Sequence, residues 1–109
     1  MRYFVTKALV SATAVLLAVS PATVLSADGE KLYQTKTCAT CHGKDGKTTI
    51  LPMYPKIAGQ NKEYSLQQMI DIKSGARSNA QSAAMKGIMH LVSDEEMQAL
   101  AEYIATMAP

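Results

Sequence analysis

Apolar positions recur at helical spacing in three stretches of the chain. After Asn61 they fall at Tyr64, Leu66, Met69, Ile70 and Ile72, and Gly75 is placed to stop that helix in the left-handed conformation. Near the end, Met97, Leu100, Ala101 and Ile104 form one stripe with Tyr103 beside it. Ser93 and Glu96 supply a capping box in front of that stripe, with Asp94 and Glu95 favourable in the first turn. Asp28 can cap a first helix reaching about Thr37, with Gly29, Leu32 and Tyr33 as its contact face. Nothing between Asp28 and Pro109 alternates with a strand period over a useful length, so the fold class is all-α. Residues 43–53 read as loop, rich in turn residues and closed by Pro52 and Pro55. Pro55 to Gln60 continues as a tight segment, and Arg77 to Ala84 reads as a small, polar loop.

A different pattern opens the chain. Arg2 and Lys7 precede an apolar run from Ala8 to Val19, broken only by Ser11 and Thr13. Pro21 and the small residues at Ser26-Ala27 resemble a signal-peptidase site, which predicts a cleaved signal over residues 1–27 and a single domain over 28–109. The run is short for a membrane span of about 20 apolar residues, so stable insertion after cleavage is not expected. Export to an oxidising space, the bacterial periplasm, follows. Of 11 basic and 9 acidic residues, the signal removes two bases and no acid, so the mature chain balances nine against nine. Nucleic acid is a poor partner for such a surface. The mature domain has no Trp and no Phe, since Phe4 lies in the signal. At 82 residues its purely peptide core is near the marginal size, and a buried cofactor is the natural remedy.

The cofactor has a signature. Cys38-Ala39-Thr40-Cys41-His42 is C-x-x-C-H, the attachment motif of a covalent c-type haem. Two thiols three positions apart can form thioethers to the two vinyl groups on one porphyrin edge, and the adjoining imidazole can bind the iron. Both cysteines of the chain are used, leaving none for a disulfide. A redox dithiol or half a zinc site is the competing reading, but no second ligand pair and no βαβ pattern accompany the motif.

From these residues the chain resembles a class I cytochrome c, similar to one half of a diheme cytochrome c-four. The resemblance covers Cys38-Ala39-Thr40-Cys41-His42-Gly43, Asp45-Gly46, Tyr54-Pro55-Lys56-Ile57-Ala58-Gly59-Gln60, Tyr64, Gln68, Ile72-Lys73-Ser74-Gly75, Met85, and Ser93 through Ile104. It implies short helices wrapped around one haem, with the first and last helices crossing at Gly29 and with Tyr33 and Tyr103 near the crossing. It also implies His42 as proximal iron ligand, the Pro55 carbonyl as acceptor for the other ring nitrogen, and Met85 as distal ligand. Met53 and Met89 remain alternatives, and His90 is read as a surface or packing residue. Met69, Met97 and Met107 sit on helical patterns and read as packing. Arg77, Tyr54 and Gln60 are expected at the haem environment, Arg77 toward a propionate. Lysines at 44, 47, 56, 62, 73 and 86 offer a ring that could steer an acidic partner.

The function implied is a non-enzymatic periplasmic electron carrier of the respiratory-chain type, passing single electrons between a redox donor and acceptor. A haem subunit of a periplasmic dehydrogenase, for example one oxidising a sulfur compound, is the alternative. A peroxidase or gas sensor with open iron requires that Met85 not bind.

Overall fold

The computed structural model describes Tyr3, residues 8–17 and residues 27–109. Arg2, Lys7, Pro21 and Ser26, on which much of the signal reading rests, lie outside the described residues. Residues 8–17 carry no regular element, and Leu9, Val10, Val15, Leu16 and Leu17 are at least 80% exposed.

Five helices follow: α1 (Gly29–Thr35), α2 (Cys38–His42), α3 (Lys62–Ser74), α4 (Ser82–Met89) and α5 (Asp94–Thr106). There is no strand among the described residues. Asp28 caps α1 by accepting from the Lys31 N–H at 3.2 Å. Asn61 caps α3 in the same way, accepting from the Tyr64 N–H at 3.0 Å. Gly75 ends α3 at φ 89°, a conformation costly for a residue with a Cβ. Ser93 and Glu96 complete the capping box of α5 in both directions, at 3.2 and 3.0 Å.

The core is built from one face each of α1, α3 and α5, closed by the end of α4. Tyr33, Met69, Ile72, Met89, Val92, Met97, Leu100, Ala101 and Ile104 are buried together. Tyr64 and Ile70, assigned to the apolar pattern of α3, are 53% and 40% exposed and belong to its outer side. α5 packs on both α1 and α3, while α4 packs on α3 alone among the helices. At the α1–α5 crossing, a Cβ on Gly29 would overlap the Ala99 carbonyl oxygen and lie 2.8 Å from Tyr103 Cβ. The glycine is therefore what lets the two backbones touch. Tyr33 and Tyr103 meet edge to face at the crossing, with ring centroids 5.5 Å apart.

Two boundaries differ from the sequence reading. The first helix ends at Thr35 rather than Thr37, because Thr37 takes a left-handed turn (φ 65°) that separates it from α2. The stretch read as loop to Ala84 is helical from Ser82. Ser82, Met85, Ile88 and Met89 fall at helical spacing, and contact with α3 stabilises a turn that local propensity alone left undecided.

Candidate cofactor site

The turn at Thr37 sets the geometry of the site. It redirects the chain into α2, a single turn and a half of helix that carries Cys38 and Cys41 three residues apart and His42 at its end. Residues at that spacing share a helix face, so both thiols are presented together. Gly43, at φ 85°, then reverses the backbone; a Cβ there would run into Thr48 and its carbonyl. The Tyr33 hydroxyl donates to the Gly43 carbonyl at 2.7 Å, and the Ile50 N–H donates to the Cys41 carbonyl at 3.1 Å. Both bonds fix α2 from outside.

The following loop is folded back under His42. Asp45 accepts from the Lys47 and Thr48 N–H groups at 3.0 and 2.8 Å and from the Thr48 hydroxyl at 2.7 Å. The Gly46 carbonyl accepts from both Ile57 and Ala58, at 2.8 and 3.0 Å. This double bond to one carbonyl positions Pro55, whose own carbonyl lies 2.9 Å from His42 Nδ1. A carbonyl can only accept, so Nδ1 must carry the proton, and the neutral ring keeps its lone pair on Nε2. Burial depresses the His42 pKa and so favours that neutral form, and the Pro55 bond opposes the shift in part. Burial also pushes the Cys38 thiol up to about 11, with the nearby Cys41 adding to the shift.

These residues open onto a cavity of about 310 Å³. Cys38, Cys41 and His42 line one part of it, Met53, Tyr54 and Pro55 another, and Met85, Ile88 and Met89 of α4 a third. Arg77 reaches the cavity from the α3–α4 connection, where Gln68 Oε1 and Asn79 Oδ1 accept from it at 2.8 and 3.2 Å. The cavity thus gathers Cys38, Cys41, His42, Met85, Pro55, Tyr54 and Arg77. It does not gather Gln60: that side chain is exposed, its Oε1 accepts from Asn61 N–H at 2.9 Å, and the preceding Gly59 N–H is bonded to Ile104 of α5. The loop is anchored to α5 at this point, which draws residue 60 off the cavity. His90 is exposed and away from the cavity. Ser82, Ile88 and Ile72 line it without having been anticipated; the 82, 85, 89 spacing was the signal available for α4.

The donor set suits a tethered iron porphyrin. Two reduced thiols share one face, a neutral imidazole offers a bare nitrogen, thioethers stand on a separate helix, and a guanidinium sits at the margin of an apolar wall. Three methionines line the cavity, so the donor set alone leaves open which of them would complete it.

Comparison with known proteins agrees with this chemistry. The family model for cytochrome c matches residues 26–108. The thiosulfate dehydrogenase electron acceptor of Stutzerimonas stutzeri (strain A1501) is 39% identical over 75% of this chain, which spans 40% of that relative. Cytochrome c-553 of Nitratidesulfovibrio vulgaris (strain DSM 19637 / Miyazaki F) is 30% identical, with 84% of this chain and 87% of that one covered. The crystal structure of reduced recombinant cytochrome c4 from Pseudomonas stutzeri superposes with a TM-score of 0.66 at 30% identity, over 73% of this chain and 46% of that one. The chain therefore spans less than half the length of its thiosulfate dehydrogenase acceptor and cytochrome c4 relatives.

Proposed function

The chain belongs to the cytochrome c family and carries covalent haem c, and from that premise we propose that it passes single electrons between two redox proteins in the periplasm. His42 and Met85 would hold its iron, and residues 1–27 would be a signal removed on export. The observation that carries this reading is the convergence of Cys38, Cys41, His42 and Met85 on one cavity, with His42 oriented by the Pro55 carbonyl.

Haem c, when bound, supplies the ferric–ferrous couple. The residues do the rest. Cys38 and Cys41 would tether it, His42 would present Nε2, and Pro55 would hold the ring against rotation and raise its basicity. Among the three cavity methionines, Met89 is 1% exposed and part of the core, and Met53 belongs to the segment that carries Pro55 beneath His42. Met85 is partly exposed and stands on α4, an element separate from both. These features favour it as the second ligand. With His42 and Met85 both holding the iron, small substrates would be kept from it, which fits a carrier rather than an enzyme. Arg77 and Tyr54, at the cavity, would contact the cofactor's polar edge; Gln60 is left out of that set. The exposed apolar residues of 8–17, packed on nothing in the domain, support the signal reading.

The test is spectroscopic. Met85→Ala is expected to abolish the weak ferric thioether–iron band and to lower the potential by on the order of 0.1 V, within the ~0.8 V range that axial ligands command. Met53→Ala and Met89→Ala should keep the band. Loss of the band in either of these, with its survival in Met85→Ala, reassigns the ligand.

A second reading has one specific support, the 39% identity to a thiosulfate dehydrogenase electron acceptor. It makes a sulfur-compound dehydrogenase the electron donor, either as a transient partner or as a stable complex. Gel filtration of native periplasmic extract separates the two by the size at which the haem elutes.

A further inference from the structure

α4 forms a wall of the cavity with little support from the other helices. It has eight residues and packs on α3 alone among the helices. Its start has no side-chain cap, and the residue before Gln81 is Ala80 at φ 50°, a left-handed conformation unfavourable for alanine. Isolated helices of this length are unstable in water, so its position must be imposed from outside.

Two lysines from other elements meet at its exit. Lys36, at the C-cap of α1, donates from Nζ to the Leu91 carbonyl at 2.8 Å. Lys73, in the last turn of α3, donates from Nζ to the Val92 carbonyl. No backbone N–H bonds either carbonyl among the described residues. Both lysine side chains are 29% exposed, and each also has a carboxylate of the first turn of α5 nearby, Glu96 at 3.8 Å and Asp94 at 3.9 Å. The connector from α4 to α5 is thus clamped from two sides by ammonium groups. Lys36 also links α1 to this connector, although α1 and α4 do not pack together.

We propose that Lys36 and Lys73 are positioning residues that hold α4, and with it the cavity methionine, against the cofactor. The clamp acts on the connector rather than on the iron, and it operates whether Met85 or Met89 is the ligand. Charge-assisted bonds of this kind are stronger than neutral ones, and losing them leaves the connector carbonyls without a protein donor. The effect on ligation rests on the proposal that a methionine of α4 binds the iron; the effect on α4 itself does not.

The experiment uses the haem-loaded ferric protein with Lys36→Gln, Lys73→Gln and the double substitution. Lys62→Gln is the control, since it removes a lysine–carboxylate pair (to Glu102, 2.9 Å) away from the connector. Amide hydrogen exchange is measured over residues 85–92 relative to α5, and imidazole is titrated against the iron by visible absorption. The double variant is expected to exchange about tenfold faster at 85–92, with α5 unchanged, and to bind imidazole at about tenfold lower concentration. Lys62→Gln should change neither, and Lys36→Arg should retain most of the protection. Equal acceleration across α4 and α5, or none, overturns the clamp. Faster exchange at 85–92 with unchanged imidazole binding upholds the clamp and refutes instead the assignment of a methionine of α4 to the iron.

Discussion

Gly29→Ala tests the α1–α5 crossing on which the site is mounted. The new methyl would overlap the Ala99 carbonyl oxygen and sit 2.8 Å from Tyr103 Cβ and 2.9 Å from the Ala99 carbonyl carbon. Ordinary contacts begin near 3.4 Å, so the Tyr103 contact alone requires a retreat of about 0.6 Å, and the carbonyl requires more. None of these atoms is the tip of a flexible side chain. Relief must come from separating two helices whose facing side includes Tyr33 and Ala101, both fully buried. Overpacking of this kind costs about 1–3 kcal/mol, offset by at most ~1 kcal/mol of helix propensity. A net loss of about 1–2 kcal/mol lowers the melting temperature of a domain this size by roughly 4–16 °C. Gly87→Ala is the matched comparison: it lies inside α4 with nothing within 4 Å of the added methyl, and it should be neutral or stabilising by up to ~1 kcal/mol. Thermal unfolding of the haem-loaded ferric protein, followed by far-UV and Soret circular dichroism, compares the two. A Gly29→Ala protein melting within about 2 °C of the parent, or above Gly87→Ala, refutes the reasoning.

Two further outcomes follow from the same geometry. Tyr33→Phe keeps the buried ring but removes the donor to the Gly43 carbonyl, and it should cost about 1–1.5 kcal/mol in chemical denaturation, whereas Tyr103→Phe, whose hydroxyl makes no hydrogen bond among the described residues, should cost less than ~0.5. Asp45 is held at about 2, first by the Thr48 hydroxyl and then by the Lys47 and Thr48 N–H groups, against 3.8 for the free side chain. Its folded value is depressed, so its contribution is complete above pH 4 and is lost as pH falls from about 4 to about 2. Asp45→Asn should flatten the stability–pH profile in that window; an unchanged slope removes Asp45 from the acid response.

What was legible in the chain was whatever had a local cause. The Ser93–Glu96 box, the Gly75 stop and the Asp28 cap each depend on residues within four positions, and each stands in the fold as read. The thiol pair and His42 are equally local and give the haem attachment, while the family resemblance rests on the ordered series that runs on through Tyr54–Gln60, Met85 and Ser93–Ile104. α4 was not legible as a helix, although Ala83, Ala84, Met85 and Lys86 favour one, because its start has no capping side chain, Gly87 interrupts it and eight residues are too few for an isolated helix. Its support is α3 and two distant lysines, which no window on the chain contains. Gln60 illustrates the same limit in reverse. It shares a run with Tyr54 and Pro55, which line the cavity, but the bond from Gly59 to Ile104 ties its end of the loop to α5. Pro55 lies only five residues earlier and faces His42, because the Gly46 carbonyl holds the loop between them.

The two walls of the cavity are therefore fixed by unlike means. The His42 wall is over-determined: Tyr33, Ile50, Ile57, Ala58 and Pro55 each contribute a hydrogen bond that fixes α2 or the loop beneath it. The α4 wall has one helix neighbour, no side-chain cap at its start and a clamp at its exit. A covalent tether at Cys38 and Cys41 explains why this asymmetry is tolerable. With the cofactor unable to leave, the α4 wall would have no retention to provide and, on the proposed ligation, would have only to set what faces the iron. Substitutions on the His42 wall should then register first as lost folding, since several hydrogen bonds together hold α2 and the loop beneath it. Loss of the Lys36 and Lys73 bonds at the exit of α4 should register first in the properties of the iron, at little cost to the core, because Met89 and Val92 keep their places in it.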